Sequence, residues 1–200
     1  RYEGWINSIV SPEEIERDLF VECPIPHPTM VLRREVFERV GKYRDNDWPE
    51  DYDLVLRLAT AGNKLGKVPE HLLAWRDSPQ RLSRIDSRYS EEAFRQCKVH
   101  YLLKRVAGRK VVVCGAGPVG KAFALALISR GLSVAAFVDL DPRKIGQTIH
   151  GAQVIHPDDI VGFRGCYMLA AVGSSKGRRE IRAMWKDAGF EEPAECCAVA

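Results

Sequence analysis

The rhythm of apolar and polar positions changes near residue 107. Over residues 1–22 apolar and acidic positions alternate, and Ser11-Pro12-Glu13-Glu14 supplies a cap, a proline for the first turn and two acids, which predicts a short helix. Pro24, Pro26 and Pro28 exclude helix up to Thr29-Met30-Val31-Leu32, a run that predicts a buried strand entering a helix from Arg33 to Val40, closed by Gly41. Asp47-Trp48-Pro49-Glu50 has capping-box form and predicts a helix from Pro49 to Ala61 that stops at Gly62. Asp53 and Arg57 pair at i,i+4 on that helix, and apolar residues cover most of its remaining circumference, so it is expected to be buried on most sides. Short strands are expected at 64–68 and 72–76, a loop over 76–88, and a helix from Ser90 to Val106.

Beyond Ala107-Gly108-Arg109 the pattern becomes strand, glycine turn, helix, strand. Lys110 to Cys114 and Ser133 to Asp139 read as buried strands around a helix from Pro118 to Arg130. Further strands are expected at 153–155, 167–172 and 196–199, with helices at 157–161 and 176–188. The chain thus reads as two α/β domains, 1–106 and 107–200, the second a doubly wound, mostly parallel, Rossmann-like sheet of about five strands.

Composition narrows the classes. Thirty basic against 27 acidic residues leave a formal charge of +3, too small an imbalance to point to nucleic acid, and none is expected as a partner. The six cysteines show neither CxxC nor metal-ligand spacing and read as reduced core residues of a cytoplasmic protein. No run reaches the roughly 18 apolar residues of a membrane span. The chain begins at Arg1 inside an amphipathic segment, which reads as a cut end.

Gly115-Ala116-Gly117-Pro118-Val119-Gly120 follows one predicted strand and opens a predicted helix. In that context Gly115 serves the tight turn, Gly117 lets the backbone approach a phosphate, and Gly120 permits close helix–strand packing. The helix N-terminus attracts the anion, with Lys121 adding charge. Asp139, nineteen residues after Gly120, is placed to accept hydrogen bonds from a ribose diol, which favours NAD or a nucleotide sugar over NADP. The competing reading keeps these glycines for packing alone. Gly173-Ser174-Ser175 forms a second anion site before the last helix, or a simple turn. Glu50 and Asp51 open a buried helix, either as dipole-favoured acids or as a carboxylate pair at the base of a cleft, where desolvation makes a better base.

His27-Pro28-Thr29-Met30-Val31-Leu32-Arg33-Arg34, Gly41-Lys42-Tyr43-Arg44, Glu50-Asp51-Tyr52-Asp53-Leu54-Val55-Leu56-Arg57-Leu58 and Trp75-Arg76 together resemble the second half of family 2 glycosyltransferases of the GT-A fold. The resemblance implies that Asp51, beside Glu50, is the base that deprotonates an acceptor hydroxyl in one inverting displacement. His27 is a cleft residue or a structural one, and Trp75 and Arg76 contact sugar or phosphate, or pack. It also implies a nucleotide-sugar donor, a glycan or lipid-linked acceptor and a polysaccharide pathway at the inner face of the membrane. A divalent Mg or Mn would be held by an Asp-x-Asp segment lying before Arg1, so this chain alone would be inactive. The second half resembles the nucleotide-sugar-binding domain of bacterial sugar acyltransferases, through the glycine loop, Phe137 to Pro142, Gly146, Gly151 to Ile155 and Ala170 to Gly173. The rival functions are an NAD-dependent oxidoreductase or epimerase, and a non-catalytic nucleotide-binding or assembly module, with a homo-oligomer open in either case.

Overall fold

The computed structural model describes residues 2–76 and 78–200, and it forms two compact units, Arg1–Tyr101 and Leu102–Ala200. The first unit is built from helices and coil. α1 (Tyr2–Ser8), α2 (Pro12–Asp18), α3 (Arg34–Val40), α4 (Glu50–Thr60) and a short α5 (Leu82–Ile85) precede α6 (Glu91–Val106), which runs on into the second unit. The expected capping box closes at α2: Glu14 N–H donates to Ser11 Oγ, and the Glu14 carboxylate accepts from Ser11 N–H. At α4 the expected box is absent. Pro49 takes the cap position without a side-chain bond, and the indole of Trp48 donates to Asp53 instead.

α4 is buried from Tyr52 to Leu58, and its polar pair is the centre of the unit. Asp53 is 1% and Arg57 7% exposed. Asp53 Oδ1 accepts from Trp48 Nε1 at 3.0 Å and Tyr101 Oη at 2.6 Å, and Oδ2 accepts from Arg57 Nε at 2.7 Å. Arg57 then donates to the carbonyls of Val40, the last residue of α3, and of Lys42 in the turn beyond it. Every charge is paired, which is the condition under which a buried ion pair is tolerated.

The strands expected at 29–32, 64–68 and 72–76 do not form. Among the described residues the first unit has no strand, and Val31 is 94% exposed. An isolated extended segment leaves its N–H and C=O groups without a ladder, so strand-like composition alone does not make a strand. Residues 64–76 remain extended coil, tied to the N-terminal helices by Lys67, whose backbone N–H donates to Val10 O and whose ammonium donates to the carbonyls of Ile6 and Pro24.

The second unit is α/β, with a six-stranded sheet in the order β3-β4-β2-β1-β5-β6. Its strands are β1 (Val111–Cys114), β2 (Val134–Val138), β3 (Thr148–Ile149), β4 (Ala152–Ile155), β5 (Tyr167–Ala170) and β6 (Cys196–Ala198). All pairings are parallel except β3 with β4. That hairpin adds a strand the sequence pattern did not indicate. It turns on His150 and Gly151 at φ 49° and 82°, positions that favour Asn-Gly and are hidden by a histidine. α7 (Pro118–Ser129) follows β1 and α8 (Ser175–Asp187) follows β5, while the helix expected at 157–161 is a 3-10 helix, Pro157–Phe163. β1 and β5 carry fully buried runs, as a doubly covered sheet requires.

Removing one partner of the α4 pair strands a buried charge. Asp53→Ala is expected to destabilise the first unit by about 3–5 kcal/mol, read as a lowered urea midpoint followed by tryptophan fluorescence; a change below about 1 kcal/mol would show that the network is not central.

Candidate functional site

β1 and β5 are neighbours whose following connections leave in opposite directions along the sheet, to β2 on one side and β6 on the other. That is the switch point at which open α/β sheets place ligands, beyond the carboxyl ends of the strands. The glycine loop lies there. Gly115 has φ +114°, and a Cβ on it would meet Ala171 O at 2.8 Å and Val172 Cγ1 at 2.7 Å, on the segment that leaves β5. A Cβ at residue 120 would lie 1.7 Å from Gly115 O, so α7 packs onto the loop backbone directly. Both glycines are demanded by the protein itself.

Gly117 is different. Its φ is −85° and ψ −175°, extended backbone open to any residue, and a Cβ there would meet nothing within 4 Å. It caps α7, whose first turn has proline and no acid, with Lys121 exposed one turn on.

Asp139, just past β2, ties this loop down. Its Oδ2 accepts from Ala116 N–H at 2.8 Å and Lys144 Nζ at 2.9 Å, and its Oδ1 accepts from Asp141 N–H at 2.9 Å. Burial pushes its pKa up, but the hydrogen bonds from Asp141, Lys144 and Ala116 outweigh burial and hold the carboxyl below its ordinary range. Lys144 was not among the residues singled out from sequence. The turn Asp141-Pro142-Arg143-Lys144 brings it back: Lys144 N–H donates to Asp141 O at 2.9 Å, and an Asp-Pro turn starting two residues after a strand-end acid is the signal that predicts such a return.

In the first unit a cleft of about 2020 Å³ is lined by Asp51, Tyr89, Trp75, Arg76 and Arg81 among others. Asp51 Oδ2 stands 3.9 Å from His27 Nδ1, whose other ring nitrogen pairs with Tyr43 Oη at 2.8 Å. Glu50 accepts the Tyr89 hydroxyl proton across its two carboxylate oxygens, at 3.1 and 3.0 Å. The structure therefore places His27 beside Asp51 and bonds Glu50 to Tyr89, with Glu50 still close enough to act electrostatically on Asp51. Trp75 lies on the open wall under the Arg81 guanidinium, 3.9 Å from the ring centroid, and Arg76 beside it is exposed. Tyr43 and Tyr89, the aromatic partners of this cluster, had no spacing signal. Among the described residues no group of His, Cys, Asp and Glu is arranged to hold a metal.

No family model and no curated protein matches the chain. Solved structures similar to it include RSP, a Rex-family repressor, at 14% identity over 85% of this chain and 87% of that one, with a TM-score of 0.40. RSP in complex with beta-NADH aligns at 15% over the same shares (TM-score 0.39), and RSP in complex with beta-NAD+ and operator DNA at 14% over 85% and 86% (TM-score 0.39). At these scores the likeness assigns no function. The glycosyltransferase reading is corrected all the same: no family model and no curated protein supports it, the structures named above are described as repressors, and the strands expected in the first unit are not formed among the described residues. The role of base for glycosyl transfer is accordingly withdrawn from Asp51 and Glu50, together with the donor, acceptor and polysaccharide setting. The exclusion of nucleic acid as a partner is withdrawn as well, since one of these repressors is described on operator DNA.

What remains at Asp51 is a carboxylate held against its solvation. Burial raises its pKa, opposed by the bond from Tyr52 N–H and the neighbouring His27. A carboxyl whose pKa is raised on folding costs stability when ionised, above its folded pKa, and costs none below the ordinary value of about 3.9. Asp51→Asn is therefore expected to raise the melting temperature at pH 7, with the gain fading as the pH falls to about 4. An equal gain at both pH values would show that charge is not its cause.

Proposed function

We propose that the second unit is a non-catalytic nucleotide-binding module that takes a dinucleotide of the NAD type at the β1/β5 switch point. Gly117 carries this reading. A loop kept for packing needs glycine only where packing or φ demands it, as at 115 and 120. At 117 neither applies, and the missing side chain leaves open space over the N–H groups that start α7. A diphosphate fits that space, with Gly115, Gly120 and Ala116 shaping the cradle and Lys121 adding positive charge. Asp139 is the acceptor for the ribose end. It is committed to three donors and stays ionised, which suits a hydrogen-bonding anchor rather than a proton carrier. A reducing, cytoplasmic setting accords with six cysteines that carry no disulfide.

Calorimetric titration of the whole chain tests this, using beta-NAD+ and beta-NADH first because those ligands are named for RSP. Binding is expected for the wild type. In Gly117→Val it is expected to fall at least about a hundredfold, since a branched side chain fills the phosphate space, while the melting temperature stays unchanged. Tight binding by a folded Gly117→Val protein would refute the site, and binding of uridine diphosphate sugars without either dinucleotide would refute the ligand.

A further inference from the structure

The ribose end of the site carries two adjacent ion pairs where a diol-selective site has a lone acid. Asp139 is bound by Lys144 at 2.9 Å. Asp141 is held by Arg143 through Nε at 2.9 Å and Nη2 at 2.8 Å. The tight turn joins the two pairs, because Asp141 N–H donates to Asp139 and Lys144 N–H donates to Asp141 O. Lone acids at the end of the second strand exclude a 2′-phosphate by repulsion as well as by favouring the diol. Here both carboxylates are offset by cations, so the local field lacks that repulsion.

The cations also retain capacity for an anion. An ammonium has three donors, and Asp139 takes one of those on Lys144, whose side chain is 33% exposed. The Arg143 side chain is 87% exposed, so its pairing with Asp141 is solvent-screened and cheap to exchange for a phosphate. An arginine near the strand-end acid is the arrangement by which such sites accommodate a 2′-phosphate.

We infer that Lys144 and Arg143 make the site tolerant of a phosphorylated ribose, so that NADP+ binds comparably with NAD+ rather than being rejected. This rests on the nucleotide-binding reading above, and it reverses the preference that Asp139 alone implies from sequence. Lys144 is the specificity-determining residue: without it the Asp139 charge is uncompensated beside the 2′ position.

The test is parallel calorimetric titration of NAD+ and NADP+ into the full chain, its Lys144→Met and Lys144→Arg variants, and Asp139→Asn. The wild type is expected to bind the two within about tenfold of each other. In Lys144→Met, NADP+ should weaken by at least about tenfold more than NAD+ through uncompensated repulsion. Lys144→Arg should restore the wild-type ratio, which separates charge from loss of fold. In Asp139→Asn the ratio should shift toward NADP+. Rejection of NADP+ by a wild-type protein that binds NAD+ would overturn the inference while leaving the nucleotide site intact, as would an unchanged ratio in Lys144→Met. Failure of the wild type to bind either dinucleotide would defeat the nucleotide reading itself and this inference with it.

Discussion

The carbonyl oxygen of Gly115 lies 1.7 Å from the point where any Cβ at residue 120 would stand, and the architecture of the second unit follows from that approach. With no side chain between them, the first turn of α7 rests on the loop that leaves β1. The same loop is pinned from its other side, because a Cβ at Gly115 would overlap the chain leaving β5. Three segments meet here with backbone against backbone. Such proximity leaves no tolerance for side-chain variation at residues 115 and 120 and fixes the loop.

Much of this was legible in the sequence because the constraint is local. A buried β-type run, a glycine at each of three offsets and an apolar helix specify a βαβ unit without knowledge of the rest of the chain. The acid nineteen residues on was readable for the same reason. Lys144 was not, since its place depends on a turn whose geometry decides which of two neighbouring cations faces back to Asp139 and which faces solvent. The β3–β4 hairpin escaped notice because His150 adopts the positive φ normally signalled by Asn or Gly.

The first unit shows the opposite case. Its i,i+4 pair, Asp53 and Arg57, was visible, and so was the burial of α4, because both are properties of one helix. What could not be read was whether segments of strand-like composition find neighbours. Thr29–Leu32 and the runs near 64–68 and 72–76 have the residues of strands, but a ladder is a relation between segments and not a property of one. Motif order drew those segments toward a transferase, and a resemblance carried by short patterns does not supply the missing pairings. The Trp48 indole illustrates the same limit: a local capping box was expected at α4, and the indole instead donates to a buried carboxylate five residues further on.

The hydrogen bond from Ala116 N–H to Asp139 links the fold to the proposed ligand. In an unbound site a glycine loop would ordinarily be free to sample several conformations, and binding would have to order it at about 1–2 kcal/mol per residue fixed. Here the strand-end carboxylate holds the loop, Lys144 holds the carboxylate, and Gly115 and Gly120 exclude the alternatives by contact. Folding has already met the ordering cost, so in the proposed site a diphosphate entering over Gly117 would gain its hydrogen bonds without rearranging the backbone. On the proposed reading, the arrangement would let one carboxylate serve both structure and recognition. Its loop-facing bond is fixed, whereas the bond to Lys144 involves a partly exposed ammonium that can reorient, so the ribose end can adapt while the phosphate end stays rigid.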